Sequence, residues 1–173
     1  MDNKKKTWLV IGILLLVAVV CLCVAVWALF FRETTVLAPD YAPQEEEVLA
    51  ETIPDDTGEK MEQPQGGGSV SMSYAKEVTI SLSGKTAGLY FANPGRSNQD
   101  IVLQIVIQDT VVVQTGTLKP GNQVKTLSLI DGAEEQLTEG VYNGHFNVLY
   151  YNPQSGEKAI VNTEIPVTIT VTN

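Results

Sequence analysis

Strict alternation of apolar and polar side chains is the feature that most restricts the fold of this chain. It begins near Val70 and is clearest in residues 78–83 (VTISLS), 101–108 (IVLQIVIQ) and 165–171 (IPVTITV). Because successive side chains of a strand point to opposite faces of a sheet, a period of two predicts β-strands. No helical period competes with it over a long window. The chain beyond residue 69 is therefore predicted to be all-β.

Turn signals divide this region into short strands. In the stretch KPGN, Pro120 presets the second position of a turn and Gly121 accepts a positive φ at the third. Further signals occur at 83–84, 93–95, 131–132 and 153–158. We predict strands at 70–82 (either continuous or broken at Ala75–Lys76), 86–92, 100–108, 110–117, 123–130, 140–151 and 158–172. Seven short strands without a helix indicate a seven-stranded antiparallel β-sandwich over residues 70–173.

An uncharged apolar run precedes this domain, from Trp8 to Phe31. As a helix it would be about 36 Å long, enough to cross a bilayer core of roughly 30 Å. Residues 1–7 carry three lysines against one aspartate, so the positive-inside rule predicts a cytoplasmic N-terminus and an extracellular C-terminal domain. The alternative is a cleaved signal peptide, but the run is longer than the apolar core of such peptides. We predict a single-pass transmembrane helix at 8–31 that contacts membrane lipid.

The segment between helix and domain, residues 32–69, is acidic and rich in proline and glycine. Residues 33–68 carry ten acids and one base, which accounts for most of the net charge of −9. Such a composition buries too little apolar surface to offset its ordering entropy, and like charges extend it. We predict a disordered acidic linker. A short helix over 43–51 is an alternative, because Pro43 could begin one.

The same composition excludes several classes of function. A net negative charge without clustered Lys and Arg argues against nucleic acid as a partner. The only cysteines, Cys21 and Cys23, lie in the apolar run, so no disulfide is predicted in the outer domain. With one histidine, His145, neither a catalytic triad nor a zinc site can be assembled from the motifs present. The sequence therefore predicts no enzyme and no metal or other cofactor.

The stretch LTEGVY, at 137–142, carries a family resemblance. The order of Leu137, Gly140 and Tyr142, some 20 residues after LKPG, resembles bacterial immunoglobulin-like and fibronectin-like sandwiches. That resemblance implies a tyrosine corner, in which a tyrosine opening the sixth strand donates its hydroxyl hydrogen to backbone just upstream. It covers roughly residues 70–173. The cysteine pair and core tryptophan of antibody domains are missing, so that subfamily is excluded.

The whole layout of anchor, acidic linker and cysteine-free sandwich resembles uncharacterised surface proteins of Gram-positive bacteria. The resemblance implies a location on the cell membrane more than an activity. The favoured hypothesis is a non-enzymatic binding or adhesion module at the cell surface, whose partner is a surface ligand or another envelope protein. The alternatives are an accessory or structural subunit of a secretion, conjugation or pilus apparatus, and a sortase-linked pilin. The last is disfavoured because the C-terminus carries no sorting signal.

Alternation along the sixth predicted strand locates a candidate binding face. With Tyr142 facing the core, Phe146 also faces inward, whereas Asn143, His145 and Asn147 face outward beside Gln104 of the third strand. The end loops 93–99 and 152–157 are the other candidates. The side chains there that best suit recognition are Arg96 and Tyr151.

Overall fold

The computed structural model describes residues 8, 13–21, 38–63 and 67–173 of the chain. Two compact units are separated after Val36. In the first, Trp8 and residues 13–21 are helical. None of the helices within the described ranges is long and apolar enough to cross a membrane. Most of the predicted membrane segment, 8–31, lies outside the described residues.

The second unit, Leu37–Asn173, is mostly β, as predicted. The break at Ala75–Lys76 is confirmed, and five of the other six predicted strands agree with the structure to within two residues at each end. The fourth, predicted at 110–117, ends at Gln114 instead. The described elements are β1 Glu51–Thr52, β2 Ser73–Tyr74, β3 Glu77–Ser81, β4 Thr86–Asn93, β5 Asp100–Ile107, β6 Thr110–Gln114, β7 Asn122–Ser128, α1 Ala133–Gln136, β8 Gly140–Tyr151 and β9 Lys158–Thr172.

The nine strands form one mixed sheet in the order β1-β7-β4-β3-β9-β8-β5-β6, with β2 beside β4. Strand β3 joins its two halves, because it pairs antiparallel with β4 and parallel with β9. The sheet is mixed rather than purely antiparallel for this reason. Two strands that are not neighbours in it, β4 and β8, meet in the core. Phe91 and Phe146 pack edge to face there with ring centroids 5.9 Å apart, so the sheet is curled over its own apolar side chains.

The tyrosine corner forms as the sequence predicts. The Tyr142 hydroxyl donates to the backbone carbonyl of Thr138 over 2.9 Å and lies 2.9 Å from its side-chain hydroxyl. Leu137 packs against the core directly before it. The bond ties the residues just before β8 to the start of that strand, which pairs with β9 along most of its length.

The prediction of a disordered linker is wrong for residues 38–63, which we call the strap. The strap runs along the edges of the sheet and forms backbone hydrogen bonds to it. Thr117 exchanges two of them with the strap, from its N–H to Glu45 (2.9 Å) and to its carbonyl from Glu47 (3.0 Å). Further on, β1 pairs with the start of β7. Two ion pairs support these contacts, Lys119–Glu46 at 2.6 Å and Lys125–Glu51 at 2.7 Å.

The physical reason for this error is that the strap is held mainly by its backbone. Sheet edges present unpaired N–H and C=O groups that any extended segment can satisfy, whatever its side chains. Small apolar contacts add to this, because Ala38 and Ala42 cover Val102, Leu149 and Tyr151, and Ala50 packs against the main core. Composition reports the scarcity of apolar side chains and carries no information about pairing of the main chain.

Candidate functional site

The predicted binding face around His145 is only partly a surface. Asn143 is exposed and His145 half-buried, but Asn147 is 8% exposed and Gln104 is completely buried. The alternation itself is right, because Phe146 and Val148 are core residues. The error lies in assuming that the opposite side of the strands is solvated.

Four amide side chains form a row across this side of the sheet, which we call the amide row. Asn162 donates to Asn147 (2.9 Å), Asn147 donates to Gln104 (2.7 Å), and Gln104 donates to Gln114 (2.8 Å). The row crosses β9, β8, β5 and β6 in that order. Buried side-chain amides are tolerated when each forms a hydrogen bond with the next one in the row. Asn147 and Gln104 therefore hold strands together and are poorly placed to contact a ligand.

The two side chains predicted for recognition in the end loops differ in exposure. Arg96 is exposed, and its guanidinium lies 3.7 Å from the Met61 sulfur of the strap. Tyr151 is completely buried, and its hydroxyl donates to the carbonyl of Pro39 over 2.9 Å. Tyr151 thus fastens the strap to the domain and cannot act as an exposed recognition side chain.

Because Tyr151 is buried, its ionisation should lower the stability of the folded domain at high pH. Burial, with a smaller contribution from Asp40, raises the pKa of Tyr151 to about 12. An unfolded tyrosine ionises near pH 10, so the folded state should lose about 2–3 kcal/mol from this group between pH 10 and 12. Tyr151→Phe should be about 1 kcal/mol less stable than wild type at pH 8, because it lacks the bond to Pro39. Denaturant unfolding at pH 8 and pH 12 should show that deficit disappearing or reversing. An unchanged difference would mean that Tyr151 is not buried.

A concave polar surface lies at one end of the domain. There β4 ends, β5 begins at Asp100, β8 ends at Tyr151 and β9 begins at Lys158. The strap crosses this end. Two adjoining clefts result, of about 420 and 410 Å³, and we call them together the end cleft. They share the residues Asp100, Lys119, Pro153 and Gln154.

Each half of the end cleft has one wall from the domain and one from the strap. Lys60 and Gln63 of the strap face Asn98 and Asn152 in the first half. Strap residues 41–44 and Glu46 face the loop 153–156 in the second. Both predicted end loops, 93–99 and 152–157, therefore contribute to one concave site, and a third segment completes it.

Asp100 is the side chain that distinguishes this site from ordinary surface. It is 6% exposed, and its Oδ1 is shut off from solvent without a hydrogen-bond partner among the described residues. An unsatisfied buried acceptor of this kind costs about 1–3 kcal/mol or more, which a structural role alone does not require. Burial raises the pKa of the Asp100 carboxyl, whereas the positive charges of Lys119 and Lys60 oppose that rise.

The two lysines of the end cleft are themselves held in place. Lys119 pairs with Glu46, which raises the pKa of the lysine, and Lys60 donates to the Ser97 carbonyl over 2.8 Å. Among the described residues, neither lysine donates a hydrogen bond to the Asp100 Oδ1. The end cleft holds a buried carboxylate beside two ammonium groups, with one further carboxylate at its rim.

Sequence reasoning misses Asp100 and the strap. Asp100 opens a strand whose next seven residues are all buried, and an acid at the head of such a strand is the available signal. Nothing in the acidic composition of residues 38–63 indicates that they line a site. Within the part of the chain that the structure describes, no three His, Cys, Asp or Glu side chains are grouped to hold a metal ion.

Comparison with known proteins adds little to this geometry. Neither a protein-family model nor a curated protein matches the sequence. Among solved structures, the crystal structure of the periplasmic chaperone SfaE is similar at 16% sequence identity, with a TM-score of 0.31. The alignment covers 61% of this chain and 58% of that chain, so it spans less than two thirds of the chaperone.

Proposed function

We propose that this protein is a non-enzymatic binding module at the outer surface of a cell membrane. Residues 8–31 anchor it as a single transmembrane helix with a cytoplasmic N-terminus, and its domain is extracellular. Three lysines before a 24-residue uncharged run support this orientation. His145 lies between Val106 and Pro166 of the adjacent strands, neither of which offers a nucleophile or an acid, and this supports a non-enzymatic role.

We assign the domain to the immunoglobulin-like sandwiches on two features of its chain path. One is the tyrosine corner at Tyr142. The other is the first stretch of the domain, which is split so that β2 pairs with β4, while β3 pairs both with β4 and with the last strand. In such sandwiches the loops gathered at one end are commonly the ligand-binding surface.

The single observation that carries the binding proposal is the buried, unsatisfied carboxylate of Asp100 beneath the end cleft. Its cost to folding is best explained if a ligand supplies the missing donor. A ligand that donates to Oδ1 would supply the hydrogen bond that the described residues do not provide.

Occluding the end cleft should abolish binding. Gln154 is exposed and lines both halves, so Gln154→Trp should fill the cleft without disturbing the core. We expect retention of the full chain, in lipid nanodiscs, on isolated cell-envelope material to fall at least about tenfold. Asn143→Trp, on the exposed part of the sheet face, is the matched control and should bind as wild type. Loss of binding by the control alone would place the site on the sheet face instead.

A second candidate, a subunit of an envelope assembly, is favoured by one observation. Ile160 and Val161 near the start of β9 are 103% and 70% exposed, and such side chains are typical of protein contacts.

Replacing residues 8–31 by an unrelated apolar helix separates the two proposals. A display module should retain its binding to envelope material, because only the anchor is exchanged. A subunit whose helix also makes contacts should lose co-purification with its assembly.

A further inference from the structure

We infer that the end cleft binds a neutral saccharide, an inference that rests on the proposed binding function. The charges around the cleft give the first reason. Lys60 and Lys119 face the carboxylates Asp100 and Glu46, so the formal charges of these four groups cancel. A phosphate or carboxylate ligand would be repelled by Asp100, and an ammonium ligand by the two lysines. A ligand without net charge meets neither penalty.

The available hydrogen-bonding groups give the second reason. Asp100 Oδ1 needs a donor. Asn152 already accepts from the N–H groups of Gln154 and Ser155 through its side-chain oxygen, which leaves its NH₂ to donate to a ligand. The Gln154 amide at the same rim offers both a donor and an acceptor. Hydroxyl groups donate and accept at once, so adjacent hydroxyls of one sugar ring suit this mixture of groups.

An exposed ring beside these groups gives the third reason. Tyr41 of the strap lines the second half of the cleft, next to Pro43 and Pro153, and is 62% exposed. A flat apolar ring beside polar side chains suits a ligand with a C–H face and hydroxyl edges. A sugar ring stacked on Tyr41 would lie in the same half of the cleft as Asp100.

The strap argues against an extended peptide as the ligand. Peptides that add to a sheet need free main-chain groups at its edge. At this end those groups are taken by the strap, since Ala42 donates to Gly156 and Lys158 donates to Asp40, each over 2.9 Å. Thr117 is also paired with the strap. The side chains that line the cleft remain available, and they favour a compact polyhydroxylated ligand.

The probes that test this inference are the methyl glycosides of glucose, galactose, mannose and N-acetylglucosamine. The full chain in lipid nanodiscs, free of sugar detergents, should give saturation-transfer difference signals with at least one of them. Asp100→Asn should weaken that binding at least about tenfold, because the charged acceptor is lost. Its melting temperature should not fall, because a buried unpaired charge is removed. Asp109→Asn, in the exposed turn at the other end of β5, should bind as wild type.

Two results would overturn the inference. One is glycoside binding that Asp100→Asn leaves unchanged. The other is no signal from any glycoside. In that case N-acetyl-trialanine amide is the comparison: a signal that disappears in Gln154→Trp would leave the end cleft as a binding site for another class of ligand. Failure of the proposed function is recognised separately, by Gln154→Trp retaining full binding to envelope material.

Discussion

Replacing Gly116 with alanine is expected to release the central part of the strap from the sheet. A Cβ at this position would lie 2.8 Å from the Glu45 carbonyl oxygen and 3.0 Å from backbone atoms of both Glu46 and Glu47. These are main-chain atoms, which cannot rotate away as a side chain would. The hydrogen bonds between Thr117 and the strap should therefore break, at a cost of about 1–3 kcal/mol.

Hydrogen exchange and limited proteolysis measure this effect directly. In Gly116→Ala, the amides of Glu47 and Thr117 should exchange about tenfold faster or more, and residues 38–63 should become sensitive to protease. Gly88→Ala is the matched control, because its added Cβ would meet only the Thr79 carbonyl oxygen at an ordinary 3.7 Å. Equal protection of the strap in both variants would contradict the docking described for residues 45–47.

Replacing Phe146 with alanine should have the largest effect on global stability. Phe146 is completely buried, packs edge to face on Phe91, and lies in β8, which pairs with both β5 and β9. Loss of the ring leaves a cavity between the two halves of the curled sheet. We expect the free energy of unfolding to fall by about 3–5 kcal/mol.

Denaturant unfolding checks this value, with Val141→Ala as a control in the same strand. Val141 is 71% exposed, so its truncation should cost less than about 0.5 kcal/mol. A double-mutant cycle with Phe91→Ala should show about 0.5–1.5 kcal/mol of coupling between the rings. A cost below about 0.5 kcal/mol for Phe146→Ala, within the usual range of surface substitutions, would mean that β4 and β8 do not face each other as described.

Local patterns predict the parts of this fold that depend on local physics. Alternation locates the strands because side chains of a strand must take opposite faces. The corner at Tyr142 is implied by the resemblance of LTEGVY to immunoglobulin-like sandwiches, and its hydrogen bond is local because it spans four residues. The strap could not be predicted, because it pairs through its main chain with a sheet edge that is distant in sequence. Such pairing does not depend on the side-chain composition of the segment. Alternation predicts Asn147 and Gln104 at the surface, because a single strand does not reveal that buried amides satisfy each other.

The candidate site depends on contacts between residues distant in sequence even more than the strap and the amide row do. The end loops could be located from their turn residues, but the cleft exists only where the strap faces them. Asp100 becomes informative through its surroundings, because an acid at a strand end is usually solvated and this one is not. Tyr151 shows the converse, since an aromatic side chain beside a loop suggests recognition and here fastens the strap.

The docked strap also limits the reach of the chain. As a free extended segment, residues 38–63 could span about 90 Å. Their hydrogen bonds to Thr117, Gly121 and Gly156 hold them along the sheet, so they contribute no such reach. A segment paired in this way is part of the domain, and it can act as a spacer only after these bonds break.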